Sequence, residues 1–158
     1  MNWDAIGAVG EIVGAIAVVI SLVYVAAQIR QNTAAVRVST HQDLLANQTA
    51  AQHIAAANPQ VAELWQKADD DYDGLSPAEK KQFTVFSLNM FNTFQSARFS
   101  HEANLLPEEV WEAWVRGYAS IIGSSPGVRR EWVALRELYT PNIRHVVDTL
   151  VSEHENLT

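Results

Sequence analysis

The chain has 158 residues, a formal net charge of −7 with histidine neutral, and no cysteine; this length suits one modest domain plus an anchor. An acidic chain with no Lys/Arg-rich stretch repels phosphate backbones, which argues against a general nucleic-acid binder. The absence of cysteine excludes thiol catalysis, thiolate-ligated metal and disulfides.

The apolar residues are unevenly spread. From Ala5 to Ala27 the sequence reads AIGAVGEIVGAIAVVISLVYVAA, and its one charged side chain is Glu11. As a helix this stretch is roughly 34 Å long, enough for a bilayer core of about 30 Å. Trp3 and Tyr24 stand near its ends, where interfacial aromatics are expected. Val25-Ala26-Ala27 has the form of a signal-peptide cleavage site, but the preceding MNWD carries Asp4 and no Lys or Arg, which disfavours a signal peptide. The segment is therefore expected to span a membrane. Arg30 and Arg37 follow it and no basic residue precedes it, so the positive-inside rule orients the C-terminal part toward the cytoplasm.

Gly7, Gly10, Gly14, Ala17 and Ser21 recur in alternating steps of three and four, which places all five on one helix face. Ile12, Ile16, Val19 and Val23 form the bulky opposite face. Within lipid, small residues let backbones approach closely, so the small face is expected to carry self-association. Gly and Ala are also simply common in spanning helices, and a single GxxxG is a weak signal. The stripe continues through Tyr24, Gln28 and Gln31 toward a polar end. Glu11 borders it, one heptad beyond Asp4. A carboxylate at a bilayer centre costs about 2.5–3.5 kcal/mol, so it is expected to face protein or water or to reach the headgroups. With Tyr24, Gln28 and Gln31 it is a candidate lining of a cation-favouring pore.

No Pro or Gly interrupts residues 29–58, and Ala, Gln and Leu are frequent there. The spanning helix is thus expected to continue to the Asn58-Pro59 break, as one helix from Trp3 to Ala57 of roughly 80 Å. Pro59 opens a short helix with Val61, Leu64 and Trp65 on one side. Ser76-Pro77-Ala78-Glu79 is a capping box with Pro at the first helical position. It starts a helix to about Ala103, with Phe83, Phe86, Met90, Phe94 and Ala97 at helical spacing and Val85, Leu88 and Phe91 on another side. Pro107 starts a helix bearing Trp111, Trp114, Val115, Tyr118, Ile121 and Ile122. GSSPG at 123–127 is expected to be a turn, followed by a shorter helix with Val128, Trp132, Leu135 and Leu138. Thr140-Pro141 caps the last helix, with Ile143, Val146, Val147, Leu150 and Val151. No strand-like alternation occurs. The expected fold is all-α, with three parts: a transmembrane helix at 1–28, a juxtamembrane stalk helix at 29–58 and a helical cytoplasmic domain at 59–158.

Few residues suggest chemistry. Asp69, Asp71, Asp73 and Gly74 fit the first positions of a calcium loop, but the required bidentate Glu falls on Lys80. The five histidines, His41, His53, His101, His145 and His154, include no HExxH and no i, i+4 pair. No nucleophile elbow, Walker loop or dinucleotide fingerprint appears. Arg98 and His101 lie close on one helix, but Arg98 equally suits a pair with Glu102. The chain is accordingly expected not to be an enzyme and to need no cofactor or metal.

The opening IGAVGEIVGAIAVVISLVYVAAQIRQNT, together with LLPEEVWEAW, PGVRREWVALRELYTPNI and VVDTL, resembles an uncharacterised bacterial family of single-pass membrane proteins with a helical C-terminal domain. The resemblance covers most of the chain. It implies a bacterial inner-membrane protein and brings no activity or site residues. The expected partners are the lipid bilayer, further copies of the chain and a cytoplasmic protein. The leading expectation is a homo-oligomer forming a channel. The alternative is a membrane-tethered helical interaction module that conducts nothing.

Overall fold

Each of the five prolines stands at, or immediately before, the first residue of a helix, where its missing N–H is one the helix would leave unused. The structure is a computed structural model that describes residues 3–155, with side chains for residues 7, 10–50 and 52–154. Six helices follow in order: α1 (Trp3–Ala57), α2 (Pro59–Asp71), α3 (Pro77–Glu102), α4 (Glu108–Ser124), α5 (Pro126–Leu135) and α6 (Pro141–Glu155). A 3-10 turn at Arg136–Leu138 follows α5, and no strand occurs among the described residues. The protein is all-α, as its sequence predicts.

The chain divides into two compact units, Met1–Ser39 and Thr40–Thr158. The boundary falls inside the 29–58 stretch, so the last part of α1 belongs to the second unit. There Leu44 is 4% exposed and joins the core.

Local chemistry fixes where α3 begins and ends. The Ser76 hydroxyl accepts from the Glu79 amide at 3.3 Å, and the Glu79 carboxylate accepts from the Ser76 amide at 2.9 Å, completing the expected capping box. Hydrogen bonds from Ser76 and Lys67 hold the Glu79 carboxyl down to about 2. At the other end Asn104 takes a left-handed conformation (φ 58°). The Leu105 amide then reaches the Ser100 carbonyl at 2.8 Å, and the Asn104 amide reaches that of His101 at 2.9 Å, the two bonds of a Schellman stop.

The core of the second unit is aromatic. Phe94 stacks on Tyr118 at 4.2 Å and on Trp111 at 5.2 Å. Trp132 packs against Phe91 at 4.8 Å and Tyr139 at 5.4 Å. Ile122, Val128, Ile143 and Val147 close the centre.

Three sequence expectations change in detail. On α3 the buried line is Phe83, Ser87, Phe91, Phe94 and Ala97. Phe86 and Met90 are half-buried beside it, and Val85 is exposed. Steps of four from Phe83 to Phe91 set the inward face; Phe86 lies about 100° and Met90 about 60° behind its centre at Ser87. The GSSPG stretch is almost entirely helical: only Ser125 is extended, between α4 and α5. One residue suffices because the Ser125 hydroxyl accepts from the Val128 amide at 3.2 Å and so caps α5. Leu138 is 68% exposed, since the 3-10 turn rotates it outward and gives the buried place to Tyr139.

Candidate functional site

Among the described residues the first unit is dominated by exposed apolar side chains. From Ile12 to Val25 its large hydrophobic side chains are 48–65% exposed, and they lie on every side of α1. A helix that is apolar all round belongs in a protein core or a membrane, and these side chains are not buried among the described residues. Among the described residues α1 is the one helix long and apolar enough to cross a membrane. Three of its polar side chains bond along the helix. Ser21 donates to the Ala17 carbonyl at 2.9 Å, Thr33 to that of Ile29 at 2.9 Å, and the Gln28 amide to the Tyr24 hydroxyl at 2.9 Å. Polar groups satisfied in this way suit a surrounding that offers no water.

The helix brings the small residues onto one side. At 100° per residue, Gly7, Gly10, Gly14, Ala17, Ser21, Tyr24, Gln28 and Gln31 fall within a sector of about 120°. Glu11 falls about 40° outside its edge. All nine are exposed. A Cβ added at Gly7, Gly10 or Gly14 would meet nothing within 4 Å. Each glycine in a helix interior is about 1 kcal/mol less favourable than alanine, and no close approach among the described residues calls for any of the three. The Trp3 and Asp4 side chains lie outside the described residues.

In the second unit the residues with chemical character are tied into the scaffold. Asp69 and Asp71 are on α2, not in a loop. Asp69 accepts from the Ser125 hydroxyl and, at 3.1 Å, from the Gly127 amide, so it anchors the start of α5. Arg98 pairs with Glu102 at 2.8 Å and lies 5.2 Å from the centre of the Trp111 ring, on which His101 also stacks. No group of three potential metal ligands converges among the described residues.

Sequence reasoning misses a cavity of about 150 Å³ in this unit. Its floor is apolar: Trp65 from α2, Phe86 and Met90 from α3, Tyr118 and Ile121 from α4. The end of α1 supplies Gln48, Gln52 and Ala55, and α3 adds Asn89 and Thr93. The available signal is the pair Phe86 and Met90, which lie at i, i+4 beside, not on, the inward face of α3. No protein-family model, no curated protein and no solved structure matches the chain.

Proposed function

We propose that the chain is a single-pass protein of the bacterial inner membrane, whose copies associate through the Gly7, Gly10, Gly14, Ala17 and Ser21 face of α1. The observation that carries this reading is the open space at Gly7, Gly10 and Gly14. Three costly glycines on one face of an otherwise bulky apolar helix are accounted for by a neighbouring backbone that comes from another molecule. Arg30 and Arg37 favour a cytoplasmic second unit. In a ring of such helices Glu11, Tyr24, Gln28 and Gln31 would border the central seam and pass cations. The test is the particle mass of the full-length protein in nanodiscs. A defined assembly that Gly10→Leu with Gly14→Leu disperses is expected, and an unchanged mass refutes the packing face. Glu11→Gln should then lower cation selectivity, and an identical reversal potential removes Glu11 from the conduction path.

A tethered helical module that conducts nothing is the second reading, and the cavity of the second unit favours it. A monomer in nanodiscs, with no conductance in a planar bilayer, selects this reading over the pore.

A further inference from the structure

The second unit holds a binding site that the association of α1 neither requires nor explains. We infer that the cavity of about 150 Å³ takes a small neutral molecule with a ring-sized apolar body and one hydroxyl or carbonyl group. Size sets the body: this volume is about that of a molecule as large as benzene. Trp65, Phe86, Met90, Tyr118 and Ile121 supply the apolar surface. The Tyr118 hydroxyl is committed to the Met90 carbonyl at 2.8 Å, so this ring presents carbon to the cavity and not a polar group.

Chemistry sets the polar end. The lining contains no charged residue, so nothing there offsets the desolvation of an ion. The side-chain amides of Gln48, Gln52 and Asn89 line the same space, and none of them makes a hydrogen bond among the described residues. Each amide both donates and accepts, which matches a hydroxyl or a carbonyl group. An apolar body beside a few uncommitted neutral polar groups is the usual composition of a small-molecule site.

The chain has two methionines, Met1 and Met90, and only Met90 lines the cavity. Methyl-labelled methionine in the full-length protein in nanodiscs therefore gives one reporter signal and one internal control. Benzyl alcohol is the probe, benzoate its anionic counterpart and toluene its counterpart without a polar group. Benzyl alcohol should shift the Met90 signal saturably, with a dissociation constant on the order of 1 mM, as eight heavy atoms allow. Benzoate should bind at least about tenfold more weakly, since an uncharged lining does not repay its desolvation. Gln52→Ala and Asn89→Ala should each weaken benzyl alcohol by about threefold to tenfold and leave toluene unchanged, the weight of one neutral hydrogen bond. Ala55→Leu, which adds bulk at the rim, should abolish the saturable shift while the Met90 signal keeps its position in the ligand-free spectrum. A Met90 signal that never responds, or responds equally to benzoate, overturns the proposal. So does a benzyl alcohol response that Ala55→Leu and both amide variants leave unchanged.

Discussion

The carboxylate of Glu131 on α5 accepts a hydrogen bond from the hydroxyl of Tyr72, at the end of α2, at 2.5 Å. It is only 2% exposed, and the Thr84 hydroxyl on α3 donates to the same oxygen at 2.8 Å. One buried acceptor thus joins three elements. Removing it leaves the Tyr72 hydroxyl without its acceptor, whereas Thr84 can turn to the Lys80 carbonyl at 2.9 Å; a part-buried donor left unpaired is more costly than a lost exposed bond. Glu131→Leu should destabilise the second unit by about 2–3 kcal/mol. Glu131→Gln keeps an acceptor oxygen in place and should cost about 1 kcal/mol. Thermal unfolding followed by near-ultraviolet circular dichroism of the tryptophans checks both. Equal effects from the two variants would show that the charge, not the acceptor, is what the site needs.

The same contact predicts how stability responds to alkali. Burial, reinforced by the hydrogen bond and negative charge of Glu131, pushes the Tyr72 hydroxyl up to about 12. Burial does the same to Tyr139, also to about 12, and raises Tyr118 as well. A group whose acidity falls on folding lends stability that is complete below its ordinary value of 10 and is lost as pH rises through the folded value. The second unit should therefore hold its melting temperature up to about pH 10 and lose it steeply toward pH 12. Tyrosinate absorbance should appear together with unfolding. Tyr72→Phe removes one contributor, so it should lower stability at neutral pH and flatten the alkaline loss. A melting temperature that falls as steeply in Tyr72→Phe as in the parent would assign the loss to the other tyrosines.

Two glycines in the second unit should respond oppositely to alanine. A Cβ at Gly127 would stand 2.8 Å from the Ala68 carbonyl oxygen and 3.0 Å from the Ala68 Cβ. That oxygen is backbone within α2 and cannot move aside, so Gly127→Ala should cost about 1–3 kcal/mol through overpacking. At Gly117, exposed on α4, a Cβ meets nothing within 4 Å. Gly117→Ala should stabilise by about 0.5–1 kcal/mol through helix propensity alone. Melting temperatures of the two variants check the sign of each. A loss at Gly117 would reveal a contact on that face that this chain alone does not make.

These residues also show what a sequence makes legible. Ser76, Pro77 and Glu79 specify a helix start within four positions, so the capping box is readable without any knowledge of the fold. The small-residue stripe of α1 is readable for a similar reason, because its spacing alone defines a face. Asp69 and Ser125 are 56 residues apart, and Tyr72 and Glu131 are 59 apart. Nothing in the sequence around any of the four points to its partner, and only the packing of α2 against α5 pairs them. Phe86 and Met90 are apolar at helical spacing, so they read as core. Their place at a cavity wall depends on an offset of about 60–100° from the centre of the Phe83, Ser87 and Phe91 face. The cavity uses the edges of four helices, and no single stretch of sequence carries its pattern.

His41, in the part of α1 that belongs to the second unit, holds a buried Nδ1 with no hydrogen-bond partner among the described residues. Leu44, one turn further, packs into the core on nearly the same side. A buried polar atom left unpaired costs about 1–3 kcal/mol, and replacing it with an apolar group relieves that cost. Leucine also favours a helix slightly more than histidine does. His41→Leu should therefore raise the melting temperature of the second unit by several degrees, about what 1 kcal/mol produces in a domain near this size. His53→Leu, at an exposed position on the same helix, gains only the propensity and should stay within about 0.5 kcal/mol of the parent. A lower melting temperature for His41→Leu would mean that the imidazole contributes to the fold and that its Nδ1 does not go unpaired.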